Sequence, residues 1–225
     1  MAASDIAVQI AETGREPGVS AEHLLHRLTT LAARRLPGCY GASISVWESG
    51  RIIRSSVSHV DLTALRSLPR RATEDPERHA ASSGMAVDIP DTLVSGTWQA
   101  FCTAAAAFGM RSVAFWPMGP VTRGAFGFYS AQPWTLDAGR LATVAELAGV
   151  VLRDAEERDE LASMAQNLRT SLNSRSVIDQ AIGIMMAERS CTAREAFADL
   201  QRTSQHSNLK LADVARNLVT RRPPN

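Results

Sequence analysis

The sequence is poor in cysteine and aromatic residues and has no unbroken apolar run. Its three cysteines, Cys39, Cys102 and Cys191, lie more than fifty residues apart. An odd number without a C-x-x-C pair argues against a disulfide framework, so three free thiols, buried or half-buried, are expected. The most apolar stretch, residues 98–118, is interrupted by Gln99, Thr103 and Arg111 and contains Gly109 and Pro117. That pattern reads as a buried helix followed by a strand, not a membrane span. The first twenty residues carry Asp5, Glu12 and Glu16 and lack the charged-then-apolar layout of a secretion signal. A cytoplasmic protein with no membrane contact is expected.

Catalytic signatures are also missing. No G-x-S-x-G, Walker A or H-E-x-x-H pattern occurs. Of the histidines His23, His26, His59, His79 and His206, only the first two are close in sequence, and neither has an acid or thiol at zinc-ligand spacing. Exposed helix histidines, no metal, no cofactor and no catalytic site are the expectation. Gly124 and Gly127 fall within a strand pattern, where glycine marks a bulge or a close backbone approach rather than a phosphate cradle.

What is present is the composition of a globular chain, 45% hydrophobic and 21% charged over 225 residues, with room for one large or two small domains. The net charge of +1 hides an asymmetry: residues 1–168 carry −3 and residues 169–225 carry +4. A basic tail beside an acidic body points weakly to an anionic partner for the tail.

Residues 1–18 read as a flexible arm ending in the breaker run Glu16-Pro17-Gly18. Ser20 caps a helix running to about Leu36, with Leu24, Leu25, Leu28 and Leu31 on one face, and Pro37-Gly38 stops it. A hairpin follows: Ala42, Ile44 and Val46 face one way, Ser43, Ser45 and Trp47 the other, with a turn at Glu48-Ser49-Gly50 and a second strand over 51–60. Short helices over 62–68 and 76–82, a strand over 85–89, a helix over 97–108 and strands over 110–117 and 124–131 complete this part. The order implies an α+β fold, an antiparallel sheet with flanking helices.

From Asp137 a long helix is expected. Leu141, Val144, Ala148, Val151, Ala155 and Arg158, then Ala162 and Ala165, recur at three-four spacing, with Leu161, Leu168 and Leu172 alongside. Such a stripe suits a coiled coil with a second copy, or docking on the helix's own domain. The last fifty residues read as three short amphipathic helices, an all-α bundle. Val177, Ile178, Ala181, Ile182 and Met185 mark the first; Thr192 and Glu195 form a capping box for the second, with Ala196, Phe197 and Leu200 inward. Asn208 caps the third, striped by Leu211, Val214, Ala215, Leu218 and Val219 and ended by the run 221–224.

In this bundle, the run from Ser174 through Gln180-Ala181-Ile182-Gly183 to Met186 resembles the opening of the ANTAR domain of transcription antiterminators. Ala193-Arg194-Glu195-Ala196-Phe197-Ala198-Asp199-Leu200 and Leu209-Lys210-Leu211-Ala212-Asp213-Val214-Ala215 are similar to its second and third helices. Many members have a lysine where this chain has Ile182. Upstream, Gly109-Met110-Arg111-Ser112-Val113, Pro117-Met118 and the strand 124–130 resemble the late strands of GAF domains that precede this module in actinobacterial-type regulators.

The resemblance implies a sensory GAF domain over 19–150, a connecting coiled-coil helix over 151–172 and an RNA-binding domain over 173–222. It implies a homodimer that holds paired hairpin loops of leader RNA and so prevents terminator formation. A small-molecule effector would occupy the GAF pocket, unless that domain serves only to dimerise. Small residues Ala181 and Gly183 would let a loop approach the helix. Arg175, Gln180, Gln201, Arg202, Ser204, Gln205 and Asn208 would supply donors and acceptors, and Lys210 a phosphate contact. Two alternatives remain open: a DNA-binding helix-turn-helix-like regulator, reading with Lys210, Arg216 and Asn217, and a GAF-fold methionine sulfoxide reductase using Cys39 and Cys102.

Overall fold

The computed structural model describes residues 3–16, 18–68, 74–133 and 137–220. Pro17 and the run 221–224, named above as breakers, lie outside these residues. The chain divides into two compact units, Met1–Asp159 and Glu160–Asn225. No helix among the described residues is long and apolar enough to cross a membrane.

The first unit is built on a five-stranded antiparallel sheet in the order β2-β1-β5-β4-β3, with β1 Gly41–Glu48, β2 Arg51–Val57, β3 Val87–Ile89, β4 Ser112–Pro117 and β5 Gly124–Ser130. The helices are α1 Ala3–Arg15, α2 Ala21–Arg35, α3 Val60–Ser67, α4 Pro76–Ser83, α5 Gln99–Ala107 and the start of α6 Ala138–Arg189. This is the α+β architecture expected from the order of elements.

Both faces of the sheet are covered. One carries Ala42, Ile44, Ala114, Phe126 and Phe128 beneath α1, α2 and α6. The other carries Val113, Phe115, Ala125 and Tyr129 beneath α3, α4 and α5. Close approach of the neighbouring strand β1 explains the strand glycines. A Cβ at Gly127 would stand 2.5 Å from Ser43 Oγ, and one at Gly124 would stand 2.7 Å from the Ser45 carbonyl oxygen. Only a residue without a side chain fits there.

The alternating hairpin forms, but its serine face does not meet solvent. Ser43 and Ser45 are fully buried. Their hydroxyls are satisfied inside: Ser43 Oγ lies 3.2 Å from the Tyr129 hydroxyl, and Ser45 Oγ donates to Glu77 Oε1 at 2.5 Å. Arg66 Nη2 donates to the same serine oxygen. Burial of polar groups is tolerated when each has a partner.

The flexible arm is corrected to a helix. α1 buries Ile6 and Ile10, one turn apart, in the core shared with α2 and α6. At its end Gly14 permits a tight crossing, since a Cβ there would meet Val151 Cγ1 at 2.1 Å. The Gly14 carbonyl accepts from Arg158 Nη2 at 2.6 Å. α2 starts where expected, with Ser20 Oγ accepting from the His23 amide at 3.3 Å.

The long apolar stripe serves two ends. Leu141, Val144, Ala148, Val151, Leu152 and Ala155 are buried in the first unit's own core, so this part docks on its own domain rather than on a second copy. Leu161, Met164, Leu168 and Leu172 are instead between 59% and 65% exposed. The second unit is a small bundle of the end of α6 with α7 Ala193–Ser207 and α8 Leu211–Thr220 around Ala181, Met185, Ala196, Leu200, Val214 and Ala215.

Candidate nucleic-acid interface

Local chemistry fixes the bundle's two turns. α6 ends at Arg189, Ser190 takes the left-handed conformation, and Thr192 opens α7 through a full capping box. The Glu195 amide donates to Thr192 Oγ1 at 3.3 Å, and the Thr192 amide donates to Glu195 Oε2 at 2.8 Å. The Thr192 amide, and then its hydroxyl, hold the Glu195 carboxyl below its ordinary value. Asn208 was expected to cap the last helix; it ends α7 instead, left-handed at φ 53° with its amide donating to the Ser204 carbonyl. Asparagine tolerates that conformation better than most residues.

The sequence-derived candidates divide into three groups. Ala181 is corrected: it is fully buried in the bundle core and offers no surface to a ligand. Ser204 is tied to the α7–α8 turn, its hydroxyl donating to the Leu209 carbonyl at 2.6 Å. Arg202 and Arg189 both pair with Asp199, and Arg216 pairs with Asp213 at 2.6 Å. Gln180, Gln201, Gln205, Asn208 and Lys210, the chain's one lysine, are exposed. Among the described residues Arg169, Arg175, Arg194 and Lys210 have no ion-pair partner, so their charge is available to an anion.

The structure gathers Arg175 into a groove of about 490 Å³ lined by Thr170, Ser171, Ser174, Arg175, Ile178, Asp179, Ile182 and Phe197. Phe197 was expected to face inward and does not; it is 37% exposed. The inward pair is Ala196 and Leu200, four apart, and the next residue lies about 100° around the helix. An exposed aromatic on the motif's second helix was the feature missed. The groove is an apolar floor of two isoleucines and an aromatic ring under a polar rim with one free cation. Gly183, one turn past Asp179, is exposed, and a Cβ built on it meets nothing within 4 Å. No packing contact within the bundle requires glycine there.

The family model for the ANTAR domain matches residues 166–219. This segment is an ANTAR domain. The ANTAR bundle therefore includes the groove, the capping box and all four unpaired cations. No curated protein matches the chain in sequence.

Among solved structures, the chain is similar to the GAF domain from a phosphoenolpyruvate-protein phosphotransferase of Coxiella burnetii, with TM-score 0.56, 14% identity, and 71% of this chain and 96% of that one covered. It is similar to the free methionine-R-sulfoxide reductase from Neisseria meningitidis at TM-score 0.54 and 12% identity, covering 69% and 91%. It is also similar to an N-acylhomoserine lactone dependent LuxR family transcription factor from Burkholderia cenocepacia at TM-score 0.53 and 20% identity, covering 69% and 98%. These likenesses show a GAF fold. The chain joins a GAF fold to an ANTAR domain.

The thiols do not form a redox pair. Cys39 packs with the α1–α2 side of the sheet and Cys102 lies in the core on the opposite side. Burial pushes the Cys39 thiol up to about 12 and raises that of Cys102 as well. A nucleophilic thiolate requires the opposite shift.

Proposed function

We infer that this chain is a transcription antiterminator that binds the loops of paired RNA hairpins through its ANTAR bundle. The observation that carries this reading is the Arg175–Phe197 groove. Sequence-specific RNA recognition targets unstacked bases, which stack on aromatic rings or guanidinium planes and are hydrogen-bonded at their edges. Phe197 with Ile178 and Ile182 suits a base face, Arg175 suits a phosphate or a base edge, and Gln180 adds a donor and an acceptor nearby. Ile182, where many members have lysine, adds apolar floor to the groove instead of a phosphate contact.

The exposed stripe Leu161, Met164, Leu168, Leu172 supports a homodimer formed by pairing with a second copy of α6. Two bundles would then present two grooves to two hairpins. The signal would enter at the GAF domain, whose core buries the first turns of the same helix, and would act by favouring one helix arrangement over another. Cytoplasmic location follows from this role.

Duplex DNA has less support, because α8 and its start offer Lys210, Asn217 and an Arg216 already paired with Asp213. Sulfoxide reduction has less support because the thiols are separated and protonated. The test is a gel shift of the full-length chain with a two-hairpin RNA and with duplex DNA at matched salt. RNA should bind at least ten-fold tighter, and Arg175→Ala should weaken it. Equal or tighter binding of duplex DNA would overturn the reading.

A further inference from the structure

A second polar cleft lies in the sensory domain, lined by none of the residues of the Ser45–Glu77–Arg66 cluster. It holds about 160 Å³ and is lined by Trp47, Ser49, Gly50, Arg78, Ala81, Ser82 and Arg123. The β1–β2 register shifts between Val46 and Trp47, which places the indole at the end of the hairpin. The Trp47 amide donates to the Arg123 carbonyl at 2.8 Å, fixing that segment beside it. The Arg78 guanidinium sits over the Trp47 ring, 5.7 Å from its centroid. Gly50 turns the hairpin at φ +79°, and a Cβ there would touch Arg78 Nη2 at 3.5 Å.

Three features specify the ligand. Neither Arg78 nor Arg123 has an ion-pair partner among the described residues. Among the described residues no carboxylate lines the cleft. The buried indole Nε1 of Trp47 has no hydrogen-bond partner, and leaving a buried donor unsatisfied is unfavourable. Two guanidiniums, one indole N–H and the Ser49 hydroxyl form a set rich in donors, Ser82 Oγ already donating to the His79 carbonyl at 3.3 Å; such a set suits a compact dianion with several acceptor oxygens. We propose that this cleft binds a phosphoryl group, free or carried on a small molecule, as the sensory input of the domain. The π-contact with Trp47 pre-orders Arg78, so little side-chain freedom is lost on binding.

The site stands independently of the RNA reading, and its test needs no RNA activity. In the full-length chain the Trp47 indole ¹⁵N–¹H resonance, assigned with Trp47→Phe, is followed during titration with inorganic phosphate, 5′-AMP or glucose 6-phosphate at constant ionic strength. A saturable shift is expected with at least one probe, and Arg78→Gln and Arg123→Gln should each weaken it at least ten-fold with Tm unchanged. Saturation by inorganic phosphate alone identifies free phosphate as the source; tighter saturation by an ester identifies a phosphorylated metabolite. A shift that never saturates, one that survives both variants, or displacement of phosphate by hairpin RNA would overturn the proposal.

Discussion

The Arg66 and Glu77 side chains meet inside the GAF domain, with Arg66 Nε 3.4 Å from Glu77 Oε2. The contact is close enough for an ion pair but not aligned as a hydrogen bond, since Nε has no hydrogen-bond partner. Ser45 mediates instead, accepting from Arg66 Nη2 and donating to Glu77 Oε1. The side chains are only 11% and 2% exposed, so removing one charge strands the other. Glu77→Ala should cost about 3–5 kcal/mol in urea unfolding. The apolar pair Arg66→Met with Glu77→Leu should recover most of that loss. A single variant as stable as the parent would contradict this account.

Two helix glycines make a matched test of backbone approach. A Cβ at Gly149 would stand 1.9 Å from the Met118 carbonyl oxygen, whereas one at Gly183 meets nothing within 4 Å. Gly149→Ala should therefore lower stability by about 1–3 kcal/mol, the usual cost of overpacking a core. Gly183→Ala should raise it by about 0.5–1 kcal/mol, the ordinary helix gain. Thermal unfolding checks both. If Gly183→Ala stabilises the bundle yet weakens RNA binding, the open backbone serves the ligand.

Much of this architecture was legible from spacing. The capping box at Thr192 and Glu195 and the Ser20 cap follow from local chemistry that tertiary structure leaves alone, and glycine inside a strand pattern at 124 and 127 announced a close approach without naming the neighbour. The misreadings share a physical cause: periodicity shows that a face is apolar, not what covers it. Residues 1–18 read as an arm because nothing in the sequence announces that α2 and α6 supply a surface for Ile6 and Ile10. The alternation put Ser43 and Ser45 on one face without showing their partners, Tyr129 for Ser43 and Glu77 with Arg66 for Ser45, which lie far along the chain. Phe197 looked like core because it lies one helical position from the buried Ala196, and Ala181, offered as an approach surface, is itself core. Partners also stayed hidden: sequence offered Arg202 and Arg175 equally, and in the fold Asp199 already engages Arg202.

The exposed stripe on α6 predicts an oligomeric state. Leu161→Glu with Leu168→Glu should convert a dimer to a monomer in sedimentation velocity with little change in Tm, because neither side chain is packed within its own unit. A parent chain that sediments as a monomer at all concentrations would contradict the pairing.

Cys39 sets a pH expectation. Burial pushes its thiol up to about 12, against an ordinary value of 9.0. The folded state then holds a proton that the unfolded state releases above pH 9, so the stabilisation is full below that pH and falls as pH rises through the interval. The slope is about 1.4 kcal/mol per pH unit, an upper figure for this group alone. Unfolding of Cys39→Ala should lose less stability than the parent between pH 8 and 10. Native Cys39 should also resist iodoacetamide at pH 8, and rapid alkylation there would contradict its burial.

The central claim is that looped RNA occupies the Arg175–Phe197 groove. Ultraviolet crosslinking of the full-length chain to a two-hairpin RNA, followed by peptide mapping, tests it most directly. Adducts should fall within residues 169–197, disappear with Phe197→Ala, and accompany a drop of about 0.7–0.9 in salt slope for Arg175→Ala. Adducts confined to the GAF sheet, or a salt slope indifferent to Arg175, would contradict the account.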